Sequence, residues 1–121
     1  MTKTRAIVRS VKSVSTGGAS DWLFLDAWPS DVDVLWYRIT ALDRTTDVTR
    51  IELLFRRGSE DYVIASQNIT AAALDASVAA NMHAPGDFRV GARFVGATLG
   101  DELEVYAFGE LVDLAELNHS A

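Results

Sequence analysis

The chain has 121 residues, enough for one domain around one core, and its 49% hydrophobic and 23% charged residues match ordinary globular composition rather than disorder. It has no cysteine, which excludes disulfides, zinc ribbons and thiol nucleophiles. The net charge of -6 is unevenly spread: residues 1–20 carry Lys3, Arg5, Arg9 and Lys12 and no acid, whereas the rest carries seven basic and seventeen acidic groups. A body that acidic repels nucleic acid. No stretch approaches the roughly 18 apolar residues of a membrane-spanning helix. No apolar run of signal-peptide length follows the basic start, so synthesis and folding are expected in the cytoplasm.

Alternation with period two dominates the chain. Residues 5–14 read as a polar-flecked strand at a sheet edge, with 1–14 as an N-terminal arm or edge strand. Ser15 to Ser20 is a turn. Asp21 to Trp28 is a second strand, ended by Pro29. In it Trp22 and Phe24 share one face, and Leu23, Leu25 and Ala27 share the other. Both faces are apolar, which predicts cover from the opposite sheet and from a second subunit or segment. Val34 to Leu42 is a third strand, with Leu35, Tyr37, Ile39 and Ala41 expected on one face and Trp36, Arg38 and Thr40 on the other.

After a turn at 43–47, Val48 to Arg57 is a fourth strand with Ile51, Leu53 and Phe55 on one face. Gly58-Ser59-Glu60 links it to a fifth strand, Asp61 to Gln67, and 48–67 reads as a β-hairpin. Residues 69–82 are alanine-rich, which predicts a short helical or irregular link at 70–75 and a strand near 76–83. A Pro85-Gly86 turn precedes Phe88 to Val95, which sets Phe88, Val90, Ala92 and Phe94 against Arg89, Gly91, Arg93 and Val95. Glu102 to Leu111 sets Leu103, Val105 and Ala107 against Glu104, Tyr106 and Phe108, and 88–109 is expected to form a hairpin. Residues 112–121 read as an acidic, partly apolar tail, either a short helix or a docking strand. About eight strands separated by turn signals predict a single all-β domain, an antiparallel two-sheet sandwich of jelly-roll type.

No motif dictates a chemistry. There is no phosphate-binding loop, and the two histidines, His83 and His119, have no partner at metal-ligand spacing. Asp21, Asp26 and Asp101 fall at strand ends without a dense calcium-ligand pattern. No cofactor, metal or catalytic residue is therefore expected, and the chain is not expected to be an enzyme. The aromatics are more informative. Trp22, Trp28 and Trp36 fit three roles: core, subunit interface, or a platform stacking on sugar rings. Together with Lys3, Arg5, Arg9 and Phe24 they are the candidate interface residues. Mid-strand Arg38, Arg50, Arg56, Arg89 and Arg93 mark outward faces.

The run Val48-Thr49-Arg50-Ile51-Glu52-Leu53-Leu54-Phe55-Arg56-Arg57-Gly58, followed by the stretch from Pro85 to Gly109 with its Ala92-Arg93-Phe94, Gly96, Thr98, Gly100-Asp101, Leu103, Tyr106 and Gly109, resembles small tailed-bacteriophage virion proteins. The resemblance covers about a third of the chain. It implies a jelly-roll-like sandwich decorating the outside of a phage head, a capsid decoration or cement protein. As partners it implies the major capsid protein and further copies of itself, often as a homotrimer. The alternative is a carbohydrate- or receptor-binding module of a phage fibre or tail.

Overall fold

The computed structural model describes residues 4–29, 32–45, 50–68 and 75–113. These hold eight strands and no helix: β1 (Thr4–Val14), β2 (Ser20–Phe24), β3 (Val32–Asp43), β4 (Arg50–Arg57), β5 (Glu60–Asn68), β6 (Asp75–Pro85), β7 (Arg89–Val95) and β8 (Glu102–Asp113). The pairing is nested. β1 pairs β8, β2 pairs β7, β3 pairs β6 and β4 pairs β5, all antiparallel. Two further ladders, β3 with β8 and β4 with β7, gather these pairs into sheets of order β1-β8-β3-β6 and β2-β7-β4-β5. This is a long hairpin rolled into two four-stranded sheets, the jelly roll.

The core lies between the sheets, because alternate side chains of each strand point inward. β7 contributes Val90, Ala92 and Phe94, and β8 contributes Leu103, Val105 and Ala107, on the faces the alternation predicts. Ile51, Leu53 and Phe55 of β4 meet them.

The third strand departs from simple alternation. Its register with β8 pairs Trp36 with Gly109 and Arg38 with Phe108, so Tyr37 is an extra, bulged residue. The bulge exchanges the faces midway. Val34 and Trp36 point into the core before it, and Ile39 and Ala41 after it. The expected face of Leu35, Tyr37, Ile39 and Ala41 is thereby broken. Gly109 makes the bulge possible, since a Cβ there would lie 2.1 Å from the Leu35 carbonyl oxygen.

Three other boundaries differ. β2 stops at Phe24 rather than Trp28: Leu25 still donates its N–H to Val90 O, but Trp28 donates to Gly86 O in a loop closed by Pro29 and Val32. β6 runs Asp75–Pro85, so Asp75 is strand rather than link, and the rest of the expected link at 70–75 lies outside the described residues. β8 runs on to Asp113, which takes Val112 and Asp113 out of the expected tail, and 114–121 lie outside the described residues. The segment 88–109 is not a hairpin. β7 and β8 lie in opposite sheets, and residues 96–101 cross from one to the other. A six-residue glycine-bounded link serves a hairpin or a crossing equally, and the nested pairing decides for the crossing. The expected β4–β5 hairpin is present, with a bulge at Ile64, because Leu53 pairs Ala65 and Leu54 pairs Val63.

The loops at one end pack on one another. Ser15 N–H donates to Asp101 O, Gly100 N–H to Ser15 O, and Arg44 N–H to Glu102 O. Buried Asp21 ties the β1–β2 turn down, accepting from Ser15 Oγ at 2.8 Å, Thr16 N–H at 3.0 Å and Thr16 Oγ1 at 2.9 Å. Burial pushes its carboxyl up, but these donors outweigh burial and hold it below the ordinary carboxylate value.

Candidate functional site

The outer face of sheet β2-β7-β4-β5 carries the densest array of side chains suited to recognition. β2 alternates, so Leu23 points into the core while Trp22 and Phe24 point outward. Their rings stack, 6.3 Å apart and 9° from parallel. Phe24 pairs with Gly91, where a Cβ would lie 2.3 Å from Phe24 Cδ1. Glycine at 91 therefore lets the ring lie flat across β7.

Arg56 reaches over the same ground from β4. Its guanidinium lies 4.2 Å from the Phe24 ring centre and 4.9 Å from that of Trp22. Asp61, its cross-strand partner on β5, fixes it from the far side with two bonds, Nε to Oδ1 at 2.6 Å and Nη2 to Oδ2 at 2.9 Å. The paired hydrogen bonds raise the Arg56 pKa and hold the Asp61 carboxyl below its ordinary value.

Two more arginines complete the layer from β7. Arg93 stands 5.4 Å from the Trp22 ring centre, donating from Nε to Ser20 Oγ at 3.1 Å and from Nη1 to Glu52 Oε1 at 3.0 Å. Arg89 stands 5.4 Å from the Phe24 ring centre and donates to Leu25 O at 3.2 Å. Under this layer Leu54, between Gly91 and Val63, is only 1% exposed and yet stands apart from the inter-sheet core. The face thus has a small apolar floor of its own.

Trp22 remains 46% exposed. The arrangement offers a half-open indole, three guanidinium groups and two carboxylates held in place before any partner arrives. Fixed arginine–aromatic stacks lose little conformational entropy on binding, which is why Trp and Arg dominate the energetic centres of interfaces.

The other candidate residues are dispersed. Lys3 lies outside the described residues. Arg5 is exposed on β1. Arg9 lies 4.1 Å over the Trp28 ring, and Trp28, packed partly against the core, closes the gap left by the short β2. For Trp36 the structure selects the core among its three expected roles and corrects its place among the interface candidates: the β3 bulge keeps it facing inward at 2% exposure. Residues 4–14 are not a free arm, since every one of them is in register with β8. Among the described candidates, Trp22 and Phe24 meet in this site, and Arg9 and Trp28 meet in a separate contact.

The arginines were identified as outward by alternation, but their convergence on β2 was not. The available signal was Arg89, Gly91 and Arg93 on one face of β7, with the glycine as the gap into which an aromatic lies. Among the described residues no group of three or more His, Asp or Glu side chains is placed to hold a metal. His83 is exposed, 3.6 Å from Asp33.

No protein-family model matches the chain, and no curated protein matches it. Among solved structures, a chain of the infectious bursal disease virus Gt strain aligns with 91% of this chain and 31% of its own length, at 12% identity and a TM-score of 0.44. The family 32 CBM from C. perfringens NanJ, solved in complex with galactose, aligns over 88% of this chain and 99% of its own at 11% identity and a TM-score of 0.43. A chain of the Gx strain of the same virus aligns over 92% and 32% at 13% identity and a TM-score of 0.39. The chain spans about a third of the length of the viral chains it aligns with.

Proposed function

We propose that this chain is a virion structural protein of the capsid decoration type, and that the arginine–aromatic face docks it on the major capsid protein at the head surface. The carrying observation is that layer, with Trp22 half-open and Arg56, Arg89 and Arg93 already fixed around it. The resemblance of 48–58 and 85–109 to small tailed-phage virion proteins supports the same reading. A decoration protein acts by contact area across subunit boundaries, so this reading assigns no catalytic residue, cofactor, nucleic acid or membrane. It includes self-association, with a trimer as the form the resemblance implies.

The test is cosedimentation of the purified protein with expanded heads and with unassembled major capsid protein of the same virus. Selective binding to heads, lost in Trp22→Ala, is the expected result. A monomer that ignores expanded heads sinks the reading.

A carbohydrate-binding module is the second reading. It is favoured by the exposed indole beside the hydrogen-bonding groups of Arg93 and Glu52, a pairing that also suits a sugar ring and its hydroxyls. A glycan array without hits, and Trp22 fluorescence unmoved by saccharides, removes it.

A further inference from the structure

β1 is the outermost strand of its sheet, and no strand among the described residues pairs with its far side. The four sheet edges differ in how they are closed to further pairing. β2 has only five residues. β5 is interrupted by its bulge, and β6 by a register shift and by Pro85 at its end. β1 has eleven residues, no proline and an unbroken register with β8 from Thr4↔Val112 to Val14↔Glu102.

The ladder fixes which of its backbone groups are open. Ser15 N–H donates to Asp101 O. Antiparallel pairs alternate between bonded and non-bonded, so continuing that register back along β1 turns Ser13, Val11, Arg9, Ile7 and Arg5 toward β8. Ala6, Val8, Ser10, Lys12 and Val14 direct their N–H and C=O groups outward.

Two further features mark this edge. Val8 and its cross-strand neighbour Phe108 form an uncovered apolar pair on the outer face, 76% and 40% exposed. The strand carries Arg5, Arg9 and Lys12 and no acid. Two β1 strands meeting antiparallel would set three cations against three, which disfavours a second copy in that arrangement. An acidic strand meets no such repulsion.

We propose that the open edge of β1 is a docking strand for an acidic, extended segment of a partner protein, which adds to the sheet as a further strand. Backbone bonds from Ala6 to Val14 supply the affinity, Val8 and Phe108 receive an apolar side chain, and the strand's cations select for acid, Arg5 most directly, since Arg9 lies over Trp28 and Lys12 also pairs with Glu104. This surface is separate from the arginine–aromatic face, and the proposal stands whether or not that face binds a capsid.

The experiment is residue-resolved amide exchange by NMR on the full chain, with a short synthetic peptide alternating Glu with Val and Thr as the probe. A matching peptide with Lys for Glu is the control. Exchange of Ala6, Val8, Ser10, Lys12 and Val14 is expected to slow about ten-fold or more with the acidic peptide, while Ile7, Arg9 and Val11, already bonded to β8, stay unchanged. Added salt weakens the effect, Arg5→Glu reduces it several-fold, and Ser10→Pro abolishes it with the fold retained, since that N–H is not used by β8. Equal protection by both peptides, or by neither, overturns the proposal. So does protection in the peptide-free protein at dilution, meaning an edge the chain closes itself. Protection that grows with protein concentration alone overturns it in favour of a second copy.

Discussion

The two sheets turn different outer faces to solvent, although both alternate in the same way. On β2-β7-β4-β5 the outward aromatics are covered by the protein's own arginines, and Arg56 is held over Trp22 and Phe24 by Asp61. On β1-β8-β3-β6 the cations are drawn elsewhere. Lys12 and Arg44 both pair with Glu104, a carboxylate buried in that face, and among the described residues no cation lies over Phe108. The first face is a preassembled patch, and the second ends in an open edge beside a bare apolar pair.

The sharpest way to break the comparison is at its two tryptophans. Trp36→Ala empties a core position and is expected to cost about 3–5 kcal/mol in denaturant unfolding. Trp22→Ala should cost only about 1–2 kcal/mol, for its ring and guanidinium contacts, and abolish head binding; equal losses in the two variants would mean that Trp22 is structural. Gly91→Ala comes next. Its methyl displaces Phe24, for a loss of about 1–3 kcal/mol by overpacking, and near-ultraviolet circular dichroism should report the disturbed Trp22–Phe24 stack. A variant with parental stability and spectrum would show that the ring does not need the glycine.

Asp21→Ala strips the acceptor from Ser15 and Thr16 and should cost about 1–3 kcal/mol at neutral pH. The folded carboxyl sits below its ordinary value of 3.8. Its contribution is therefore complete above that value and is lost as the pH falls through the lower folded one. Acid unfolding of parent and variant should converge there, and a constant gap down to full protonation would contradict the assignment. The smallest effect is expected from Arg56→Ala, about 1 kcal/mol or less in stability, with increased exposure of Trp22 to acrylamide quenching. Unchanged quenching would mean that the guanidinium does not cover the ring.

Alternation made much of the fold legible. Phe88 to Val95 and Glu102 to Leu111 declare their inner faces residue by residue, because both sheets bury one side only. The bulges at Tyr37 and Ile64 carry no local mark, neither glycine nor proline, and the one at Tyr37 is set against Phe108 and Gly109, some seventy residues on. That is why Trp36 read as an outward residue. The crossing at 96–101 was hidden for a related reason, since pairing is a property of two distant strands and not of the link between them. For the site, Trp22 and Phe24 were visible on β2, whereas Arg56 joins them only because β4 lies one strand beyond β7 and Gly91 leaves the path clear.

The nested pairing also bears on how the molecule forms. β4 and β5 are joined by two residues, and each pair outward closes a longer loop, until β1 meets β8 across nearly the whole chain. Loop closure grows costlier with length, so an order is implied in which the central hairpin zips first and the outermost ladder last. The core-facing glycine at 109 and the unblunted strand opposite it belong to that final step. Newly made chains then pass through a stage in which β8 presents an open edge of its own, to β1 or to whatever basic or apolar strand is nearest, and slow refolding with a concentration-dependent yield is the kinetic signature to expect.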